Sequence, residues 1–215
     1  PKEIPVVSLS FGTDKKLYIN LPAQAGTTND LLSFAYISDP ANPVQYTSEI
    51  EDELGFTPRA FMSDDQRHAS LRNDVLTFQT DVLQNDIIFA GPILAKLIVS
   101  ITGTDADFIV KLIDVYPDDE PECDHNPDYI HLGGYQQLVR SEVFRGRFRN
   151  SFEFPEPFVP GEKTEVKIAL QDILHTFKKG HRVMIQIHST WFPYIDRNPQ
   201  KYVDNIYLAN EEDFI

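Results

Sequence analysis

Apolar residues recur at every second position through much of this chain, and that period constrains the fold more than any other feature. Val166, Ile168 and Leu170 alternate with Glu165, Lys167 and Ala169, and Val183, Ile185 and Ile187 alternate with Arg182, Met184, Gln186 and His188. Leu97, Val99 and Ile101 share a face, as do Phe108, Val110 and Leu112. Successive side chains of a strand leave opposite faces, so the pattern predicts antiparallel strands with one face on a core and one in water. The run from Arg147 to Phe154 reads as another strand. Turn signals at Gly91-Pro92, Gly133-Gly134, Pro160-Gly161 and Gly180 separate the runs. Helical signal is scarce: Leu170 to Phe177 reads as a short helix or a wide loop, and Asn210 to Phe214 as the opening of a terminal helix. Many short strands between turns point to a sandwich or barrel. The expectation is an all-β chain, one β-sandwich domain over residues 1–215. Its long loops are Pro40 to Gln66, Tyr116 to Gly134 and Trp191 to Val203.

Composition narrows the function classes. A chain of 215 residues buries roughly 70% of its unfolded surface, and its 15 Phe and 9 Tyr are too many aromatics for a solvated coil. With 19 basic against 33 acidic residues the net charge is −14. Such a surface repels phosphate backbones and anionic lipid, so neither nucleic acid nor a membrane is an expected partner. No apolar run approaches the ~20 residues a bilayer requires. Cys123 is the single cysteine, which excludes an intrachain disulfide and a cysteine-based zinc site. The chain opens at Pro1 and reads like the inside of a longer protein, so the absence of targeting signals says nothing of compartment.

Chemistry-bearing motifs are missing. There is no G-x-S-x-G elbow, G-x-G-x-x-G, Walker loop or H-E-x-x-H. His188, Ser189 and Asp196 form the nearest Ser/His/Asp group, but Ser189 follows a strand rather than sitting on a strained turn, so no catalytic residue is assigned. The acidic run Asp114, Asp118, Asp119, Glu120, Glu122 and Asp124 lacks EF-hand spacing and its glycine; a solvated loop is the expectation, with no metal and no cofactor. Arg145, Arg147 and Arg149, at i, i+2 and i+4 on a strand, would line one face. Either acidic side chains of the domain answer them or they dock against a partner surface. Trp191, Phe192, Pro193 and Tyr194 form either a core lid or, if exposed, a docking patch.

A set of short stretches, taken in order, resembles the C-terminal domain of the X-Pro dipeptidyl-peptidase, cocaine esterase and glutaryl-cephalosporin acylase family of serine hydrolases. They are Ser38-Asp39-Pro40-Ala41-Asn42-Pro43-Val44; Asp65-Gln66-Arg67; Arg72-Asn73-Asp74-Val75-Leu76; Gly91-Pro92; Thr104 to Phe108 running into Lys111 to Asp118; Arg145 to Arg149; and His175 to Arg182 through Trp191-Phe192-Pro193 to Asp196-Arg197-Asn198. The resemblance implies a jelly-roll sandwich similar to galactose-binding domains. It also implies a non-catalytic role, with the serine, aspartate and histidine of the triad on a preceding α/β-hydrolase domain and this chain inactive alone. The implied partner is that domain, and the implied substrates of the parent are acyl esters, amides or proline peptides. The loop from Gln45 to Ser63 would approach the cleft, so Tyr46, Phe56 and Phe61 either wall the substrate pocket or cover this domain's own core. His68 stands where the family has an apolar residue. The chain stops at Ile215, where the family continues to a final strand; an edge left open there would favour pairing with a second copy, a homo-oligomer. A stand-alone carbohydrate-binding module on the same sandwich is the alternative, with Trp191 and Tyr194 as stacking rings.

Overall fold

The computed structural model describes residues 6–20, 33–49 and 59–214. Among them the strands are β1 (Ser8–Phe11), β2 (Leu17–Asn20), β3 (Leu76–Gln79), β4 (Ile87–Val99), β5 (Asp107–Val115), β6 (Gln136–Arg145), β7 (Thr164–Phe177) and β8 (Arg182–His188). All pair antiparallel: β3-β8-β5-β6 form one sheet, β4-β7 a long ribbon and β1-β2 a small hairpin. The only α-helix among the described residues is one turn, Arg67–Ser70.

The ribbon packs on the four-stranded sheet, and alternation explains how. Inward residues Val166, Ile168, Leu170, Ile173 and Phe177 of β7, with Leu97 of β4, meet Phe108, Val110 and Leu112 of β5 and Val183 and Ile187 of β8 in one core. Each such side chain contributes about 1.5–3 kcal/mol on burial. The ribbon keeps its other face exposed, as the alternation predicts. This is the all-β sandwich expected from the period.

Four readings are corrected. Leu170 to Phe177 is neither helix nor loop but the second half of β7. Register shifts where Gly91 and Ile93 face Ile173 and Leu170, so a bulge resets the inward parity from Leu170 to Ile173. Arg147 to Phe154 is not a strand: β6 ends at Arg145, Gly146–Phe148 is a 3₁₀ turn, and bends follow. Phe152 and Phe154 there lie outside the core. Finally, β5 and β8 are not half-solvated. The second face of their sheet is covered by the segments around 36–48, 61–70 and 189–199, and Ile109, Ile113, Leu138, Met184, Tyr46 and Trp191 make a second core beneath them. The expected terminal helix is a 3₁₀ turn, Glu211–Phe214.

Candidate functional site

The second face is where loops, aromatics and buried polar groups converge. The Asp39–Val44 stretch is held in place by its own turn and by arginines. Asp39 Oδ1 accepts the Ala41 amide at 2.8 Å. Arg197 Nη1 donates to the Pro40 carbonyl at 3.1 Å, and Arg72, paired with Asp74, donates to the Asn42 carbonyl. From there the chain zips along the segment after β8: Thr190 Oγ1 accepts the Val44 amide, the Phe192 amide donates to the Val44 carbonyl, and the Tyr46 amide donates to the Phe192 carbonyl, at 2.8, 2.9 and 3.1 Å. These bonds set Tyr46 and Trp191 on the same covering layer.

Four rings interlock there. Ring centroids of Tyr46 and Phe61 are 5.9 Å apart, Phe61 and Trp191 6.0 Å, Phe61 and Tyr194 4.8 Å, and Trp191 and Tyr194 4.8 Å. Between this cluster and β6 runs a groove of about 500 Å³, walled by Phe61, Trp191, Tyr194 and Ile195 on one side and Leu138 and Val143 on the other. Arg140 and Glu142 supply charge along it. The groove is of mixed polarity, with Arg140, Ser141, Glu142 and Gln171 among its apolar walls, and its size suits a small acyl or aromatic group.

Beneath Trp191 lies Lys111, wholly buried, its Nζ 4.4 Å from the ring centre and donating to Gln66 Oε1 at 2.9 Å. Burial alone pushes its amine down to about 7. Beside it on β8, Gln186 donates to the Gln66 carbonyl at 3.3 Å, and His188 Nδ1 donates to the Thr190 carbonyl at 2.6 Å. Burial, with the Lys111 charge next, holds the His188 imidazole well below its ordinary range.

The structure places the expected residues other than Phe56. Phe61 lines the groove; Tyr46, 4% exposed, stands behind it; Phe56 lies outside the described residues. The three arginines do not line one strand face. Arg145 pairs with Asp196 and Asp107, Arg147 with Asp105, and Arg149 donates to the Glu156 and Pro157 carbonyls. Trp191 is 1% exposed, whereas Phe192 is 38% exposed. His188, Ser189 and Asp196 face separate partners: the Thr190 carbonyl, the Tyr36 hydroxyl and Arg145. The two ring nitrogens of His68 lie 3.0 and 3.2 Å from the Asp65 and Gln45 carbonyls, the polar contact its unusual position left open. Among the described residues no three His, Cys, Asp or Glu side chains are grouped to hold a metal ion.

Sequence reasoning missed Lys111. The signal was present: Phe108 to Ile113 is apolar on both parities except at Lys111, the mark of a strand buried on two faces. It also missed that Asp114 accepts from both His175 Nε2 and His181 Nδ1, at 2.9 and 2.8 Å.

The profile of the family described as X-Pro dipeptidyl-peptidase C-terminal non-catalytic domain matches residues 15–212. The chain belongs to this family. As a member it shares 34% identity over 167 residues with cocaine esterase of Rhodococcus sp. (strain MB1 Bresler), covering 76% of this chain and 25% of that protein. Among solved structures it is similar to an aminopeptidase from the marine sediment archaeon Thaumarchaeota archaeon, with TM-score 0.82 and 39% identity over 97% of this chain and 33% of that one. It is also similar to an alpha-amino acid ester hydrolase, with TM-score 0.78 and 39% identity over 96% of this chain and 32% of that one. The chain thus spans a quarter to a third of the length of these relatives.

Proposed function

We propose that this domain serves a serine acyl hydrolase by packing on its α/β-hydrolase domain, with the aromatic groove forming one wall of the substrate cleft. The observation that carries this reading is the groove itself: a trough of mixed polarity beside β6, walled on one side by Phe61 of the loop that the family resemblance brings to the cleft. Phe61 is the wall residue, Tyr46 its backing, and Phe56 belongs to the same loop. The names of the relatives, an esterase, an aminopeptidase and an ester hydrolase, support acyl esters, amides or peptides as substrates. Phe192, 38% exposed next to buried Trp191 in the chain, is the docking contact, while Arg145, Arg147 and Arg149 shape the docking surface through the carboxylates and carbonyls they hold. A sugar-binding module is disfavoured, because only one of its two expected stacking rings is open: Trp191 is 1% exposed and Tyr194 43%.

The test uses the full-length protein. Phe61→Ala should raise KM for an aromatic acyl ester about tenfold, the scale of a lost apolar contact, with folding unchanged. The present domain alone should hydrolyse nothing. Unchanged kcat and KM in Phe61→Ala, or turnover by the isolated domain, overturns the reading.

A further inference from the structure

Trp191 forms the innermost wall of the groove, and it is the sole tryptophan of the sequence. Its underside rests on a group that seldom occupies a protein interior. Lys111 is completely buried, yet no carboxylate pairs with it: its only hydrogen bond among the described residues is to Gln66 Oε1, and the Trp191 ring covers it at 4.4 Å. Lysines are almost never fully buried unless paired. A cation over an indole face is attracted by the ring quadrupole, the more so where water is excluded.

Two further features fit an amine that exchanges a proton. The strand register sets Gln186 directly opposite Lys111 and His188 opposite Ile109, so both share the face of the sheet that Lys111 occupies. Gln186 Oε1 and His188 Nε2 are buried acceptors with no partner among the described residues. An ammonium has three protons to give and a neutral amine two. The two protonation states therefore differ both in hydrogen bonding and in attraction to the ring.

We propose that Lys111 is a positioning residue for the groove: its ammonium group, held between Gln66 Oε1 and the Trp191 ring, fixes the indole wall, and loss of its proton releases that contact. The groove as ligand site rests on the reading above; the contact does not, and it is tested without ligand.

The titratable and charged groups packed round the pair are His188 on β8, with His68 and Arg72 acting on it, Tyr46 and Tyr194 in the covering layer, and Arg140 and Glu142 along the groove. Imidazoles are the other groups that titrate near neutrality. His188 is driven below that range by burial, and a change at His68 serves as the control.

Trp191 emission of the domain, followed from pH 5.5 to 9, should show a one-proton transition centred near 7. It should vanish in Lys111→Met and persist in His68→Gln. A flat profile in the wild type, or the same transition in Lys111→Met, overturns the proposal, as does its loss in His68→Gln. Should Lys111→Met fail to fold, 13C-ε-lysine NMR of the wild type decides: one lysine resonance titrating near 7 supports the contact, and none overturns it. Failure of the groove reading is separable, because then Phe61→Ala leaves KM unchanged whatever the titration shows.

Discussion

Arg147 donates Nε and Nη2 to one oxygen of Asp105, at 2.8 and 2.5 Å, with the two residues 5% and 1% exposed. Its Nη1 reaches the Val203 carbonyl at 2.8 Å, and the Tyr202 ring lies 4.6 Å from the guanidinium carbon. The pair therefore ties the 3₁₀ turn after β6 to both the start of β5 and the C-terminal segment. Removing one member leaves the other charge buried alone. Arg147→Ala is expected to cost about 3–5 kcal/mol, read from urea unfolding, and the loss should be nearly independent of salt because the pair is shielded from solvent. A loss under about 1 kcal/mol, the range of exposed pairs, would contradict this.

Asp114 joins the two layers. It lies on β5, accepts from His175 of β7 across the sandwich and from His181 at the head of β8, and is 2% exposed. Hydrogen bonds to a charged partner contribute about 1.5–3 kcal/mol each, so losing both in Asp114→Ala should lower stability by about 3–6 kcal/mol. Hydrogen exchange should show the loss at the β7 end near His175 as well as at β8; protection unchanged at both places would show that the histidines hold without it.

Asp107 gives stability a pH signature. Desolvation drives its carboxyl up to about 6 although Arg145 and Asn198 pull the other way. Between the ordinary value of 3.8 and about 6 the native state keeps a proton that the unfolded chain has lost. Its stabilising effect is thus complete below pH 3.8 and disappears as pH rises through 6. The slope is at most about 1.4 kcal/mol per pH unit. Asp107→Asn should flatten the wild-type minus variant difference above pH 6 and show it sloping below; a difference curve without slope between pH 4 and 6 would refute the assignment.

Gly146 marks why β6 stops. A Cβ there would lie 2.6 Å from the Ala106 carbonyl oxygen and 2.6 Å from the Phe158 ring, both buried neighbours. Gly146→Ala should cost about 1–3 kcal/mol through overpacking, with the Arg147–Asp105 pair displaced. Wild-type thermal stability in that variant would show that the turn has room to spare.

Much of the sandwich was legible because apolar residues recur at every second position in β8 and in the first half of β7. The second half was not, since the bulge at Pro92 turns Leu170, Ile173, Leu174 and Phe177 into a spacing that a helix would also show. Arg147 to Phe154 failed for a different reason. Its alternation comes from arginines that reach separate partners and rings that face water, so no sheet neighbour enforces it. At the candidate site, the Trp191 segment was visible as an aromatic concentration, and Phe61 through the family resemblance of its loop. Which rings lined the groove and which backed it depended on the Val44–Phe192 zipper, a contact between residues far apart in sequence.

β6 is the last strand of its sheet, and its own side chains occupy part of its rim: Arg140 Nη1 donates to the Val139 carbonyl, Arg140 Nε to the Asp172 carbonyl, and Glu142 Oε1 accepts the Val143 amide. An incoming strand would have to displace both side chains to pair with the Val139 carbonyl and the Val143 amide. Whatever settles against the groove is therefore received by side-chain surface, as a shape filling a trough, and the sheet does not grow to meet it.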